Sequence, residues 1–388
     1  MYTILKSALF LISVSFMISC SSSGNESAEE VKAQSSDEFI SYKLNEGVPK
    51  ARWSDIIDEI KITRLEETDE SLLSYVRDIH FSGENMVFVS GEESNVYTFS
   101  ANGEMLSKMN RKGEGPEEYF SIQDFWLEGD TIAIYSRGKS IKRYTLDGDF
   151  ISTTEMKYQA GHMLPYTGGY ALDMFFATVD DSLFCNVLTL GKNLERGELL
   201  MQSKRPEGFN VFTSNNTLAK YKEAFLYQRV MSDTVYLYAN SQMKPLIHFD
   251  FGQEWFFRGK DEISNGDFNS MFSSSLFWNQ SSRVSPEFAY VFGWRGEGNQ
   301  RKFIVDRIAN KIIEITDTNV EEEKYGITIS HWVDNGVMGS MNSLELANLL
   351  NELEDDQWSF TEGTTLDIIE SSENPVIVRV KFKDSSAW

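Results

Sequence analysis

The chain has 388 residues, of which 59 are acidic and 36 basic, so its formal net charge is −23 at pH 7. A chain this acidic repels nucleic-acid phosphates, which excludes nucleic acid as the expected partner. The length is sufficient for one large folded domain or two smaller ones.

Residues 1–19 form a candidate secretion signal. Lys6 gives a positive start, and the apolar run from Ser7 to Ile18 is too short to span a membrane as a mature helix. The ending Ile18-Ser19-Cys20 resembles a bacterial lipobox, where the signal is cut before the cysteine, which is then acylated. The resemblance implies a lipid anchor on Cys20 and a membrane partner. Ser21, in place of an aspartate, favours the outer membrane, with periplasmic and surface-facing orientations both open.

Residues 20–38 form a candidate flexible linker, because they are polar and low in complexity. Such a segment buries too little apolar surface to offset the entropy lost on ordering. With Cys20 acylated, Cys185 would be the remaining thiol, so no intramolecular disulfide is expected. The folded part is predicted to be residues 39–388.

Two segments, residues 76–106 and 122–151, match each other at an offset of about 45 residues. Each contains three or four short strands separated by turns such as Asn-Gly and Asp-Gly. A four-stranded unit of this period is typical of a β-propeller blade. The matched positions are Asp78 with Asp124, Gly83 with Gly129, and Gly103 with Gly148.

Weaker strand patterns continue along the chain at residues 169–190, 233–251 and 288–315. Residues 253–283 lack clean alternation and are predicted to be an irregular insertion. Leu344, Ala347, Leu350 and Leu353 have helical spacing, which predicts a short amphipathic helix. The sequence therefore predicts an all-β, six-bladed propeller, with seven blades left open.

The two ends of the folded part are predicted to pair within one blade. Residues 58–66 and 375–382 both have strand patterns, and an open ring would leave exposed strand edges. This pairing predicts a single ring-closed domain.

As a set, several motifs resemble bacterial six-bladed β-propeller lipoproteins, which are loosely related to NHL-repeat propellers. The resemblance covers nearly the whole chain after Cys20 and implies the fold but no particular activity. At 117, glutamate replaces a glycine that is usual in the family's inter-blade loop. The motifs are Ile62-Thr-Arg-Leu-Glu66, Lys112-Gly-Glu-Gly-Pro-Glu-Glu-Tyr119, Asp233-Thr-Val-Tyr236, Phe249-Asp-Phe-Gly252 and Asn374-Pro-Val-Ile-Val378.

The stretch RKGEGPEEYF, residues 111–120, has two interpretations. As a structural connection, its glycines permit unusual backbone angles and Pro116 fixes φ. As a ligand site, it would cross a propeller face near the central channel, and a similar run begins at Trp294. The ligand-binding candidates are Arg111, Lys112, Glu118, Tyr119, Trp294 and Arg295. Trp255, Trp278 and Trp294 lie in irregular segments and are candidates for exposed, sugar-stacking positions. The alternative for each of them is that the insertion packs on its own propeller.

No catalytic motif is apparent. The four histidines are scattered without metal-ligand spacing, and there is no Gly-x-Ser-x-Gly elbow. We therefore expect no metal and no cofactor. His80 and His248 lie within strand patterns and are interpreted as packing residues.

The leading functional hypothesis is a lipid-anchored envelope propeller that binds a glycan, peptide or partner protein, since propellers present many loops on one face. The alternative is a lyase or hydrolase with residues from several blades meeting at the channel. Two or more acids hydrogen-bonded to a His or Arg at one channel mouth would favour the enzyme. Fold alone does not decide between them.

Overall fold

The computed structural model describes residues 37–388, apart from residues 46, 92–94, 176, 181–182, 203–216, 261–262 and 297–299. The predicted signal, Cys20 and nearly all of the linker lie outside the described residues. The described strands form six sheets.

Three strands precede the first repeat: β1 (Ile40–Lys43), β2 (Lys50–Arg52) and β3 (Ile57–Thr63), with helix α1 (Trp53–Ile56) before the third. The first three blades follow, each with four consecutive antiparallel strands. Blade 1 has β4 (Arg77–Ser82), β5 (Asn85–Ser90), β6 (Asn95–Phe99) and β7 (Met105–Met109). Blade 2 has β8 (Asp124–Glu128), β9 (Thr131–Ser136), β10 (Ser140–Thr145) and β11 (Phe150–Glu155). Blade 3 has β12 (His162–Tyr166), β13 (Gly169–Asp173), β14 (Cys185–Leu190) and β15 (Arg196–Gln202).

The last three blades are larger and carry the insertions. Blade 4 has β16 (Leu218–Tyr221), β17 (Ala224–Gln228), β18 (Thr234–Ala239) and β19 (Gln242–Asp250). Blade 5 has β20 (Phe277–Val284), β21 (Phe288–Arg295), β22 (Gln300–Asp306) and β23 (Lys311–Thr316), preceded by helix α2 (Asn265–Met271). Blade 6 has β24 (Ile327–Val333), β25 (Gly336–Met341), β26 (Trp358–Phe360) and β27 (Val376–Phe382), with helices α3 (Leu346–Leu350) and α4 (Leu366–Glu370). Short 3₁₀ helices occupy Gly252–Glu254, Ser343–Glu345 and Ser385–Ala387.

The N-terminal strands run along the outside of the ring before entering it. Strand β1 pairs in parallel with β19 at the outer edge of blade 4, and β2 pairs in parallel with β23 at the outer edge of blade 5. Strand β3 then pairs antiparallel with β27 of blade 6, Ile60 opposite Val380 and Ile62 opposite Val378. The third strand of the chain and its last strand therefore pair within blade 6.

The core lies between neighbouring blades, so a middle strand is buried on both faces. In β5, Met86 and Phe88 pack with Met338 of blade 6, whereas Val87 and Val89 pack with residues of blade 2. This explains why β5 is apolar throughout rather than alternating.

The two matched sequence segments are blades 1 and 2. Their matched turn glycines Gly103 and Gly148 have φ of +83° and +87°, a conformation that costs glycine little. At Gly103 a side chain would also overlap the Arg64 carbonyl. The match therefore reflects a backbone requirement shared by the two blades.

The predicted all-β propeller is confirmed, with six blades. The helix predicted from residue 344 onward corresponds to a 3₁₀ turn followed by α3. One assignment was wrong: the end of the predicted insertion 253–283 is β20, the innermost strand of blade 5. Its register shifts between Phe277 and Asn279, and this bulge disrupts the alternation that would have marked a strand.

Candidate functional site

The two faces of the ring differ in their connections. One face carries short turns, such as residues 83–84 and 129–130. The other, here called the loop-rich face, carries the links from each outer strand to the next innermost strand and the links between the two middle strands. Its longest described connections are residues 64–76, 110–123, 251–276, 317–326 and 342–375.

The stretch RKGEGPEEYF connects blades 1 and 2 on the loop-rich face and packs on the outer strands of blade 2. The Pro116 carbonyl accepts a hydrogen bond from Lys142 Nζ (2.6 Å), and the Glu117 carbonyl accepts one from the Tyr144 hydroxyl (2.9 Å). Tyr119 is fully buried with its ring edge-on to Tyr144, and burial raises the pKa of Tyr119 to about 12. The loop is thus fixed to its blade.

The glycines in this loop are required by packing rather than by backbone angle, contrary to the sequence-based expectation. Neither Gly113 nor Gly115 is among the described residues with positive φ. Instead, the Glu118 carboxylate folds back and accepts a hydrogen bond from the Gly115 amide (2.8 Å). A Cβ on Gly113 would overlap that carboxylate.

Arg111 and Lys112 are exposed beside this loop. The Arg111 Nε donates a hydrogen bond to the Gly148 carbonyl (3.2 Å) of blade 2, and Lys112 pairs with Tyr119 in a parallel bridge. Arg111, Lys112 and Glu118 are therefore close together and accessible, whereas Tyr119 lies beneath them.

Trp294 and Arg295 lie at the end of β21 in blade 5. Arg295 forms an ion pair with Glu254 (3.1 Å). Its guanidinium carbon lies over the Phe277 ring, 4.7 Å from the ring centroid. Arg295 borders an open cavity of about 440 Å³ with Lys50, Arg301 and Glu314. Blades 2 and 5 stand opposite each other in a six-bladed ring, so the two groups of candidates share a face but not one site. Ligand binding by either group stays a prediction.

Of the two alternatives for the insertion tryptophans, packing on the propeller holds for Trp255. Trp255 is only 6% exposed and stacks on Phe251, with ring centroids 5.5 Å apart. Trp278 and Trp294 are half-buried. The insertion packs on the propeller itself, because its buried aromatic side chains form one cluster with the core of blades 4 and 5.

A chain of buried hydrogen bonds joins blades 2, 3 and 4 at the inner edge of the ring. Asp124 accepts from the Met163 amide (2.8 Å) and contacts His162 Nδ1 at 3.0 Å. Asp173 of blade 3 accepts from the Thr217 hydroxyl. Burial alone would lower the pKa of His162, but the Asp124 carboxylate outweighs it and raises that pKa. Among the residues that the structure describes, one acid is therefore hydrogen-bonded to this histidine.

A second polar group lies in the central channel, which the six innermost strands β4, β8, β12, β16, β20 and β24 surround. Asp78 (φ +55°) occupies a bulge in β4, and Ser330 occupies a bulge in β24. The second bulge reverses the side-chain alternation along β24. Ile329 packs toward blade 5, whereas the His331 ring faces the Phe81 ring of blade 1, with ring centroids 6.0 Å apart.

The channel histidines are neutral at pH 7. Burial lowers the pKa of His80. Burial, followed by the influence of His80, Arg283 and Arg379, lowers the pKa of His331 to about 4. Sequence reasoning treated His80 as a packing residue and placed Arg283 in an insertion, so this group was missed. The one available signal was the match of Asp78 with Asp124.

A third polar group lies at the outer edge of blade 4. The Ser41 hydroxyl is 2.9 Å from His248 Nδ1, and His248 Nε2 is 3.3 Å from Asp233. The hydrogen bond to Asp233 raises the pKa of His248. These contacts tie the added strand β1 to its blade.

Two further properties concern metals and membranes. In the part of the chain that the structure describes, no group of three or more His, Cys, Asp or Glu residues is placed to hold a metal ion. Within the same residues, no helix is both long and apolar enough to cross a membrane.

Two solved structures from Bacteroides are similar to this chain. A Bacteroides fragilis NCTC 9343 protein, BF0058, described as exported, has a TM-score of 0.69 at 15% identity, covering 89% of this chain and 100% of its own. A member of the DUF4221 family from Bacteroides vulgatus ATCC 8482 has a TM-score of 0.50 at 10% identity, covering 84% and 97%. At these identities the likeness concerns the fold alone. No curated protein matches the chain.

Residues 40–381 match one family along almost the whole propeller, from β1 into β27. The match spans all six blades, including the N-terminal strands that close the ring. The chain therefore belongs to the family described as Domain of unknown function (DUF4934).

Proposed function

We propose that this protein is a binding or scaffold module of the bacterial cell envelope, which holds a glycan, peptide or partner protein on its loop-rich face. A closed ring of six blades is a rigid support, and binding residues are commonly found on loops that such a support positions. The observation that carries the proposal is the uneven distribution of exposed apolar side chains between the two faces.

Among the described residues, 13 large apolar side chains are exposed. Eight of them lie in connections of the loop-rich face, whereas only Ile308 lies in a turn of the opposite face. Single exposed apolar residues are ordinary, but their concentration on one face is typical of an interaction surface. The eight are Leu72, Tyr75, Phe120, Leu183, Phe272, Val320, Leu344 and Ile368.

Tyr75 and Phe120 are two exposed aromatic residues of this face, which lie shortly before the innermost strands β4 and β8. Tyr75 is 40% exposed, and its hydroxyl donates a hydrogen bond to the Gly91 carbonyl (2.9 Å). Phe120 is 47% exposed, with the Arg137 guanidinium over its ring at 4.6 Å. Fixed aromatic faces beside a cation suit sugar rings and peptide side chains.

The double variant Tyr75→Ser/Phe120→Ser should lose binding without losing stability. Purified protein would be applied to glycan and peptide arrays, and each hit measured by calorimetry. We expect affinity to fall about tenfold or more, because two stacking side chains are removed.

The matched control is Ile151→Ser/Ile308→Ser, which removes exposed apolar residues away from the loop-rich face. It should bind as the wild type does. Equal losses in both variants, or an array without any hit, would contradict binding by the loop-rich face.

The proposed location is the outer membrane, through acylated Cys20, as expected of a propeller lipoprotein with NHL-like relatives. It is supported by the lipobox-like sequence and by the similar Bacteroides fragilis protein being described as exported.

Cys20→Ala should move the protein from the detergent-extracted membrane fraction to the soluble fraction, because one or more acyl chains are lost. Cys185→Ala is the control and should leave the protein in the membrane fraction. Recovery of Cys20→Ala with the membrane would exclude the anchor.

The enzyme alternative is less well supported. Asp124 and Asp173 are each less than a tenth exposed and bond groups of the following blade. A general acid or base must come within hydrogen-bond reach of a substrate. The buried acids at the inner edge of the ring are instead engaged in joining blades.

A further inference from the structure

The open cavity of about 440 Å³ beside Arg295 lies at the outer edge of blade 5, on the loop-rich face. Strand β2 forms one side of it, because its parallel pairing with β23 places Lys50 opposite Glu314. The 3₁₀ helix Gly252–Glu254 and the end of β21 contribute Glu254 and Arg295. The volume is within the range of about 300–1,000 Å³ that is usual for small-molecule sites.

Four of the lining residues form one partly buried charge network. Arg301 bridges Glu314 (2.6 Å) and Glu254 (3.5 Å), and Glu254 also pairs with Arg295 (3.1 Å). Their side chains are between 10% and 31% exposed. The guanidinium carbons of the two arginines lie 4.7 and 5.8 Å from the ring centroid of Phe277. These contacts hold the charged groups in place before a ligand arrives, which lowers the entropy cost of binding.

The network leaves some of its donors and acceptors unused. Arg295 donates through Nε to the Ser275 carbonyl and through Nη2 to Glu254, so its Nη1 group has no partner within the described residues. Glu254 and Glu314 each accept through Oε2, and in the same part of the chain their Oε1 atoms have no partner. None of these three atoms is buried away from solvent, although Glu314 as a whole is only 8% exposed.

The unused groups define the chemistry of a ligand. The lining has three cations, Lys50 and the two arginines, against two carboxylates, and the Lys50 ammonium has no partner within the described residues. This excess of positive charge favours an anionic group, which a guanidinium and an ammonium both bind well. Ionised carboxylates can only accept hydrogen bonds, so their free oxygens favour hydroxyl donors. A molecule with one anionic group and several hydroxyls satisfies both requirements.

We propose that this cavity binds an acidic sugar unit of a glycan, with the acid group against Arg295 and Lys50. The sugar hydroxyls donate to the free oxygens of Glu254 and Glu314. The acid group is a carboxylate, as in a uronic acid, or a sulfate, since the guanidinium matches either. This inference rests on the proposed binding function of the loop-rich face and names the chemistry of one ligand there.

The experiment measures binding of glucuronate, glucose 6-sulfate and glucose to the full chain by calorimetry and thermal unfolding at constant ionic strength. At least one acidic sugar should bind and raise the melting temperature, whereas glucose should bind about tenfold more weakly or less. Arg295→Gln should weaken binding about 10- to 100-fold, because charge-assisted hydrogen bonds are lost. Lys50→Gln should weaken it about threefold to tenfold, as expected of a more exposed charge. The control Arg258→Gln, at an exposed arginine of the insertion, should bind as the wild type does.

The outcomes identify the acid group and test the site. Binding of glucuronate alone identifies a carboxylate, and binding of glucose 6-sulfate alone identifies a sulfate. A wild type that binds neither, or that binds glucose equally well, would overturn the proposal. So would unchanged affinity in Lys50→Gln, which also decides the question if Arg295→Gln fails to fold. Lys50→Gln should melt as the wild type does without ligand, because its ammonium has no contact to lose.

This cavity can fail without the wider function failing. Array hits that respond to the Tyr75→Ser/Phe120→Ser variant but not to Arg295→Gln would refute the cavity and leave binding by the loop-rich face intact. An array without any hit would contradict the wider function itself.

Discussion

Truncation after Glu373 should unfold the whole propeller rather than release one strand. Strand β27 lies between β25 and β3 in blade 6, so its loss removes hydrogen bonds on both sides and leaves the two ends of the ring unjoined. Five of its side chains are at most 3% exposed: Val376, Ile377, Val378, Val380 and Phe382. Each contributes about 1.5–3 kcal/mol when buried, and a whole domain is stable by only about 5–15 kcal/mol.

The comparison is deletion of residues 21–36, which should leave the melting temperature nearly unchanged if they form a flexible linker. Circular dichroism and calorimetric melting of both proteins are sufficient. If the truncated protein still melted cooperatively near the wild-type temperature, blade 6 would not be needed to hold the ring closed.

Asn374→Ala should destabilise the protein by roughly 2–6 kcal/mol, because it leaves two buried backbone groups without partners at about 1–3 kcal/mol each, and a third, partly buried group besides. Asn374 is 1% exposed and precedes β27. Its side-chain oxygen accepts a hydrogen bond from the Leu73 amide (2.7 Å). Its Nδ2 donates to the carbonyls of Glu66 (3.0 Å) and Ser71 (2.8 Å). One amide thus joins the link between blades 6 and 1 to the closing strand.

The matched control is Asn348→Ala, since Asn348 makes one exposed hydrogen bond, to the Lys324 carbonyl (3.0 Å). Its loss should cost about 1 kcal/mol or less. Urea unfolding with the slope compared between variants would measure both changes. Equal costs for the two substitutions would show that Asn374 is not a structural junction.

The propeller fold could be predicted from the sequence because each blade needs a similar set of short strands and turns, and these patterns repeat along the chain. The turn glycines Gly103 and Gly148 recur at matched positions in blades 1 and 2, and short strands separated by turns follow one another in every blade. The strands β1 and β2 were not expected. They are three or four residues long and pair in parallel with distant strands, and short edge strands carry little periodicity of their own.

The channel group could not be found in this way. Arg283, His331 and Asp78 come from three blades, and the positions of Asp78 and His331 depend on bulges in β4 and β24. A bulge inserts one residue without a characteristic pattern. The stretch at residues 111–120 was conspicuous for a different reason, because it is a tightly packed connection whose glycines accommodate the Glu118 side chain.

The outer path of the N-terminal segment has a consequence for synthesis and export. Strand β3, among the first parts of the propeller to be made, cannot pair with β27 until about 300 further residues have been made; the bonded pair Glu66 and Asn374 are 308 residues apart. Such distant contacts delay folding, so a growing chain keeps β3 unpaired until β27 has been made. For a chain that is exported as we propose, this delay would keep it threadable through a translocation pore, and closure of the ring would follow on the far side.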